Sequence, residues 1–201
     1  MSTKVSAARL DRAFNEAISF QAFLDTMKVN RKEIEENFAA QQLSGAEMET
    51  VRRPDAPIRI LALVHDWCLD VVANLPILAR FEEAGLIKLS ILEKNPNNTD
   101  IGDLYPHWSG EIHIPIYIAF DSDGNELGHF IERTRAMDRK LGAWVRAFWS
   151  TKEGHPEFKK PYGELSDGMQ NELHTWIARE REKERDEERR EFIEWFNSLQ
   201  K

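Results

Sequence analysis

Apolar positions change their spacing along the chain, and each change marks a different kind of structure. From Val5 to about Met27, the residues Leu10, Phe14, Ala17, Ile18, Phe23 and Leu24 recur at helical spacing on one broad face, which predicts an amphipathic helix. Ile34 and Phe38, with Leu43, predict a second helix. Ser44-Gly45-Ala46-Glu47 has the spacing of a capping box and would start a short third helix before Pro54 and Pro57. Residues 1–56 thus read as a helical N-terminal extension.

Strand and helix signals then alternate. Ile58 to Val64 is almost wholly apolar, the pattern of a strand covered on both faces. A helix from about Cys68 to Ala84 follows, with Leu75, Leu78, Ala79 and Phe81 as core candidates, and Gly85 ends it. Leu86 to Leu92 predicts a strand, Asn95-Pro96-Asn97-Asn98 a loop, and Asp100 to Tyr105 a short helical turn. Ile114 to Phe120 is a strand that opens with a proline. Asp121-Ser122-Asp123-Gly124 reads as a hairpin turn, because Asp-Gly suits the positive φ such turns demand, and it leads into a strand from about Glu126 to Ile131. Met137, Leu141, Trp144, Val145 and Phe148 share one helical face and complete an α/β segment over residues 57–150.

Residues 151–201 begin as a loop containing Gly154, Pro156, Pro161 and Gly163, and a long helix is predicted from about Ser166. Arg179 to Glu191 is an unbroken charged run, with opposite signs three or four apart in Glu180 and Lys183, Glu182 and Arg185, and Asp186 and Arg190. Each such exposed pair contributes about 0.2–0.5 kcal/mol to a solvated helix. Phe192, Ile193, Trp195, Phe196 and Leu199 need a surface to bury against, either their own domain or a second copy. The C-terminal helix is therefore a candidate homodimer contact.

With 201 residues and 41% hydrophobic content, the chain can bury one substantial core and still carry extensions. The net charge of −8 repels phosphate backbones and anionic lipid, so neither nucleic acid nor a membrane is expected as a partner. No run has the length of a signal peptide's apolar region or of a membrane span, and the single cysteine suits a reducing compartment; a cytoplasmic location is expected.

That cysteine is the main candidate for chemistry. Trp67-Cys68 stands where the first strand gives way to a helix, which aims backbone N–H groups at the sulfur and favours thiolate. A dithiol motif would place a second cysteine three residues on, but Val71 occupies that position and no internal disulfide can form. Asp66 and Asp70 flank the sulfur. At 4–6 Å and an effective dielectric of about 20, a bare carboxylate opposes thiolate by roughly 3–4 kcal/mol, against about 0.3–2 kcal/mol from the helix terminus. Asp70, in the first helical turn, is either a complement to the helix dipole or a proton carrier.

His65 and His113 flank the same region, and with Cys68 and Asp66 they would make a zinc ligand set. Their spacing matches no zinc motif, so no metal is assigned. Asp121 to Gly124 opens like a calcium loop, yet its glycine comes fourth rather than sixth. No phosphate-binding glycine loop or Gly-x-Ser-x-Gly element occurs, and no cofactor is assigned.

The order of elements, taken with these residues, resembles the thioredoxin superfamily over roughly residues 57–150. Trp67-Cys68 matches the start of its active site, Pro76 its helix-kinking proline, and Ile114-Pro115 the isoleucine and cis-proline that face the thiol; Gly128 also has a counterpart. Asp66-Trp67-Cys68-Leu69-Asp70, followed by Asn74-Leu75-Pro76-Ile77-Leu78, is similar to a bacterial branch with a Trp-Cys-x-Asp motif, in which the second cysteine is often missing and helical extensions are common. That branch's Trp-Gly-Pro-Arg-Pro after the last strand is replaced here by Phe130-Ile131-Glu132-Arg133-Thr134, and the buried acid of thioredoxins by Ala62.

The resemblance implies an α/β fold, a thioredoxin-like central sheet flanked by helices, with N-terminal and C-terminal helical extensions. It implies Cys68 as nucleophile, Trp67 shaping the site, Asp70 as candidate proton carrier, and Ile114 and Pro115 binding an extended substrate. The corresponding activity is one-cysteine exchange with a protein or low-molecular-weight thiol or disulfide. The alternative is a redox-silent module in which Cys68 is a buried hydrophobe and the extensions recognise a partner.

Overall fold

In the computed structural model, which describes residues 4–200, the apolar run Ile58–Val64 forms strand β1 inside a four-stranded sheet. Ile87–Glu93 (β2) pairs parallel to it on one side and Ile116–Phe120 (β3) antiparallel on the other, with Glu126–Ile131 (β4) antiparallel to β3 at the edge. Leu69–Glu83 (α5) connects β1 to β2. Because side chains alternate along a strand, β1 feeds two cores. Ile60, Ala62 and Val64 join Val71, Leu75 and Leu78 of α5, whereas Leu61 and Leu63 join Ile116, Ile118 and Phe120 on the opposite face. A strand covered on both sides favours apolar residues, and β1 is apolar except for the half-buried Arg59, which lies over the Phe14 ring.

The N-terminal extension divides these faces. Ala7–Glu16 (α1) places Leu10 and Ala13 in the core that contains Phe120, while Phe20–Thr26 (α2) and Arg31–Ala40 (α3) place Phe23 and Ile34 in the core that contains α5. One helix from Val5 to Met27 was expected; two form instead. Between them Ile18 is extended and exchanges two 2.9 Å backbone hydrogen bonds with Ile91 at the outer edge of β2, and Ser19 then caps α2 through the Ala22 N–H. Two ladder bonds and a serine cap outweigh the local helical pattern. Gly45–Thr50 (α4) begins with the capping box read from the sequence, Ser44 and Glu47 each accepting the other's backbone N–H.

Thr99–Gly102 (α6) is the expected short turn, and Arg135–Ser150 (α7) follows β4. The single long C-terminal helix is also two helices, Asp167–Glu182 (α8) and Arg185–Ser198 (α9). At their junction the Lys183 and Glu184 N–H groups bond to carbonyls three residues back, which tightens the turn and ends α8. Glu180 pairs with Lys183 at 2.5 Å and Glu182 with Arg185 at 3.4 Å, as the charge pattern suggests, and Asp186 pairs with Arg189 at 2.8 Å.

The described residues fall into two compact units, one running to Arg133 and resuming at Phe192, the other spanning Thr134–Glu191. In the second, Phe148 and Trp149 of α7 pack with Leu165, Met169 and Leu173, and Lys140 binds Glu184 at 2.6 Å and also Glu187. In the first, Phe192, Ile193, Phe196 and Leu199 are buried within the α5 core, Phe196 edge-on to Phe81 and Phe192 against Phe130. Leu199 approaches β4 so closely that a Cβ on Gly128 would lie 2.8 Å from its Cδ2. Asn197 holds both Arg52 N–H and Thr50 O, fixing this end to the N-terminal segment. The apolar C-terminal face is thus covered by its own chain. No helix among the described residues is long and apolar enough to cross a membrane.

Candidate functional site around Cys68

Immediately after β1 the chain makes a tight turn, closed by the Cys68 N–H donating to His65 O at 3.2 Å. Cys68 is the extended N-cap of α5, and its carbonyl accepts the Val72 N–H, so the sulfur stands at the helix mouth. The residue is buried, with 8% of its surface exposed. Its Sγ–H faces Ile114 O at 3.5 Å, and the Ile114–Pro115 peptide bond is cis. Cys68, Ile114 and Pro115 therefore meet.

The remaining residues of the motif point to other partners. Trp67 is 60% exposed and stacks on His65, whose Nε2 accepts the Asn95 N–H at 3.1 Å. The Asp66 carboxylate accepts the Lys28 N–H at 2.8 Å and the Val29 N–H at 3.3 Å, and Asn30 Nδ2 donates to Asp66 O. The segment joining α2 to α3 thus clamps the turn that carries Cys68. Asp70 binds Arg133, whose Nη2 and Nε donate at 2.9 and 3.3 Å. Ala62 is fully buried opposite Tyr117, an apolar setting on the strand before the motif.

Arg133 also pairs with Glu132 Oε1, and Glu132 is where the network converges. Its φ of 65° lies in the left-handed region, which costs a bulky residue on the order of 1–3 kcal/mol. Neighbours hold it there: its N–H donates to Pro115 O at 2.8 Å, and its carbonyl accepts Asn74 Nδ2 at 2.6 Å. Its second carboxylate oxygen, Oε2, faces His113 Nδ1 at 2.9 Å and His107 Nε2 at 3.6 Å. A continuous path of contacts runs from Asp70 through Arg133 and Glu132 to His113, which precedes Ile114.

Reading the sequence missed Arg133, Glu132, Asn74 and His107. The signal for Glu132 and Arg133 was the departure of residues 130–134 from the branch pattern, and that for Asn74 its place in the Asn74-Leu75-Pro76 motif. The combination of Cys68, His65, His113 and Asp66 weighed as a zinc set does not assemble, because His65 and Asp66 are committed elsewhere. Among the described residues, those grouped so that they could hold a metal are His107, His113 and Glu132.

Comparison with solved structures finds the same fold twice. An HIV epitope-scaffold is 23% identical, covering 86% of this chain and 98% of its own, with a TM-score of 0.57. A protein of unknown function from Pseudomonas aeruginosa is 22% identical, covering 87% and 94%, with a TM-score of 0.56. No curated protein matches the sequence. A family model described as thioredoxin matches residues 17–145, well over half of the chain. Together with a Trp-Cys helix mouth facing a cis-proline, this match establishes that the chain belongs to the thioredoxin family.

Proposed function

We propose that this thioredoxin-family protein performs one-cysteine thiol–disulfide exchange in the cytoplasm, with Cys68 as nucleophile. The observation that carries the reading is the 3.5 Å approach of Cys68 Sγ to Ile114 O beside the cis Pro115. The Cys68 thiolate attacks one sulfur of a substrate disulfide; an S–S bond forms to Cys68, the substrate's S–S bond breaks, and the other sulfur leaves as a thiolate. A second thiolate, from a low-molecular-weight thiol or a protein, then attacks the substrate-derived sulfur of the mixed disulfide; a new S–S bond forms between those two, the bond to Cys68 breaks, and Cys68 leaves as the thiolate. Val71 leaves no internal thiol for that step.

Trp67, next to Cys68 in the chain and stacked on His65, offers an exposed indole face. Ionisation of Cys68 removes the donor that Ile114 O accepts, and the freed carbonyl can pair with an extended substrate. Asp70 serves as the anchor for Arg133. The burial of Cys68 favours the second reading, a redox-silent module whose extensions recognise a partner.

Alkylation separates the two readings. Cys68 is the only thiol, so iodoacetamide labelling of the native chain over a pH series reports on it alone. Rapid labelling near neutrality, with a mixed disulfide to glutathione visible by mass spectrometry, is the expected result. Labelling only above the ordinary thiol range near pH 8.5, or only after denaturation, would leave the redox-silent module.

A further inference from the structure

We propose that His107 Nε2, His113 Nδ1 and Glu132 Oε2 form a binding site for a zinc-class divalent transition-metal ion. This site is separate from the thiol chemistry and does not depend on it. The three atoms lie within 4.8 Å of one another. The separation from Oε2 to His107 is 3.6 Å, at the roughly 3.3–3.6 Å edge of a tetrahedron built from bonds of about 2.0–2.2 Å, and that to His113 is 2.9 Å, a hydrogen-bond distance that ligation would lengthen. Two imidazoles and one carboxylate leave a fourth position open for water or an exogenous ligand.

Three features distinguish the cluster from an ordinary ion-pair network. First, Arg133 already binds Glu132 Oε1, yet two stacked imidazoles, 4.4 Å apart between centroids, both address Oε2. Second, each imidazole has a partner at its far nitrogen: His107 Nδ1 meets Ser109 Oγ at 3.1 Å, and His113 Nε2 faces Glu111 Oε2 at 3.6 Å. Outer neighbours of this kind orient the rings; His107 Nδ1 accepts the Ser109 N–H at 3.4 Å, so ligation through Nε2 moves the ring proton to Nδ1, where Ser109 Oγ accepts it. Third, the donors are set in place beforehand. Hydrogen bonds from His107 N–H to Glu111 O and from Gly110 N–H to His107 O, both 2.8 Å, close the loop, with Gly110 at a φ of 88° that favours glycine. Glu132 is pinned on the other side by Pro115 O and Asn74. The side chains of His107, His113 and Glu132 are 13%, 27% and 11% exposed, sheltered enough to strengthen coordination yet open to an arriving ion.

The test is titration of the tag-free, chelator-treated full chain with Zn²⁺ by calorimetry and with Co²⁺ by visible spectroscopy. One ion per chain is expected, with Co²⁺ d–d bands that persist in Cys68→Ser. His107→Gln and His113→Gln should each weaken binding by more than the about 10–100-fold that loss of an outer partner costs, and Glu111→Gln, an exposed change that leaves the fold intact, by about 10–100-fold. Circular dichroism checks the folding of the histidine variants. Absence of stoichiometric binding, unchanged affinity in Glu111→Gln and in folded histidine variants, or a cobalt spectrum lost with Cys68→Ser would each overturn the assignment.

Discussion

Replacing Phe196 by alanine tests whether the C-terminal turns belong to the core of their own chain. Phe196 is fully buried, and its ring meets Phe81 of α5 edge-on at 5.4 Å between centroids. Exposing such a side chain forfeits about 1.5–3 kcal/mol of transfer free energy. The cavity left under α9 raises the total to about 3–5 kcal/mol. In a unit of this size, where 1 kcal/mol moves Tm by about 2–4 °C, that is a fall of roughly 6–20 °C. Urea unfolding followed by circular dichroism at widely separated protein concentrations measures it. The expected loss is the same at every concentration, with an unchanged slope against urea. If the face instead belonged to an interface between copies, stability would rise with concentration in the parent chain and the deficit would change with it. A loss below about 1 kcal/mol, or one that depends on concentration, refutes the argument.

Two further outcomes follow from single residues. Glu132→Gly relieves the left-handed φ that Glu132→Ala retains, while both remove the carboxylate, so the glycine variant is expected to be more stable in urea by about 1 kcal/mol. The hydrogen bond from Arg9 at 2.7 Å, and then its charge, hold the Asp100 carboxyl below its ordinary value of 3.8. A depressed folded-state value means that the contribution is complete above about pH 4 and is lost as pH falls through that lower value. Because Asp100 is largely exposed the term is below about 1 kcal/mol, and Asp100→Asn should flatten the stability profile measured below pH 4 by that amount.

Local signals were legible where local physics decides the outcome. The nearly all-apolar run Ile58–Val64, the reciprocal Ser44 and Glu47 cap and the Asp-Gly hairpin each form at the positions their patterns indicate. Patterns failed where a distant partner overrides them. Ala17 and Ile18 continue a helical face, but the open edge of β2 offers Ile18 two backbone bonds that no window of neighbouring residues reveals. The same division holds at the site. Cys68, Ile114 and Pro115 were readable as a motif, whereas Asp70 and Arg133 stand 63 positions apart and become partners only when the exit of β4 reaches the start of α5. His107 had no signal at all, since a lone histidine in a loop acquires meaning only from the carboxylate opposite it.

Arg133 changes the balance of charge at the helix mouth. From the sequence, two bare carboxylates beside Cys68 outweigh the helix terminus, each opposing thiolate by roughly 3–4 kcal/mol. Neither is bare. The guanidinium lies 2.9 Å from the Asp70 carboxylate, so the Asp70 charge is partly offset. Asp66 is directed to the Lys28 and Val29 N–H groups, which draw its charge toward the N-terminal extension. The two aspartates that flank Cys68 thus take their partners from residues 28–29 and 133, outside the motif itself. The replaced segment after β4 has a definite consequence: it delivers the cation that offsets Asp70 together with the strained carboxylate that holds that cation in place.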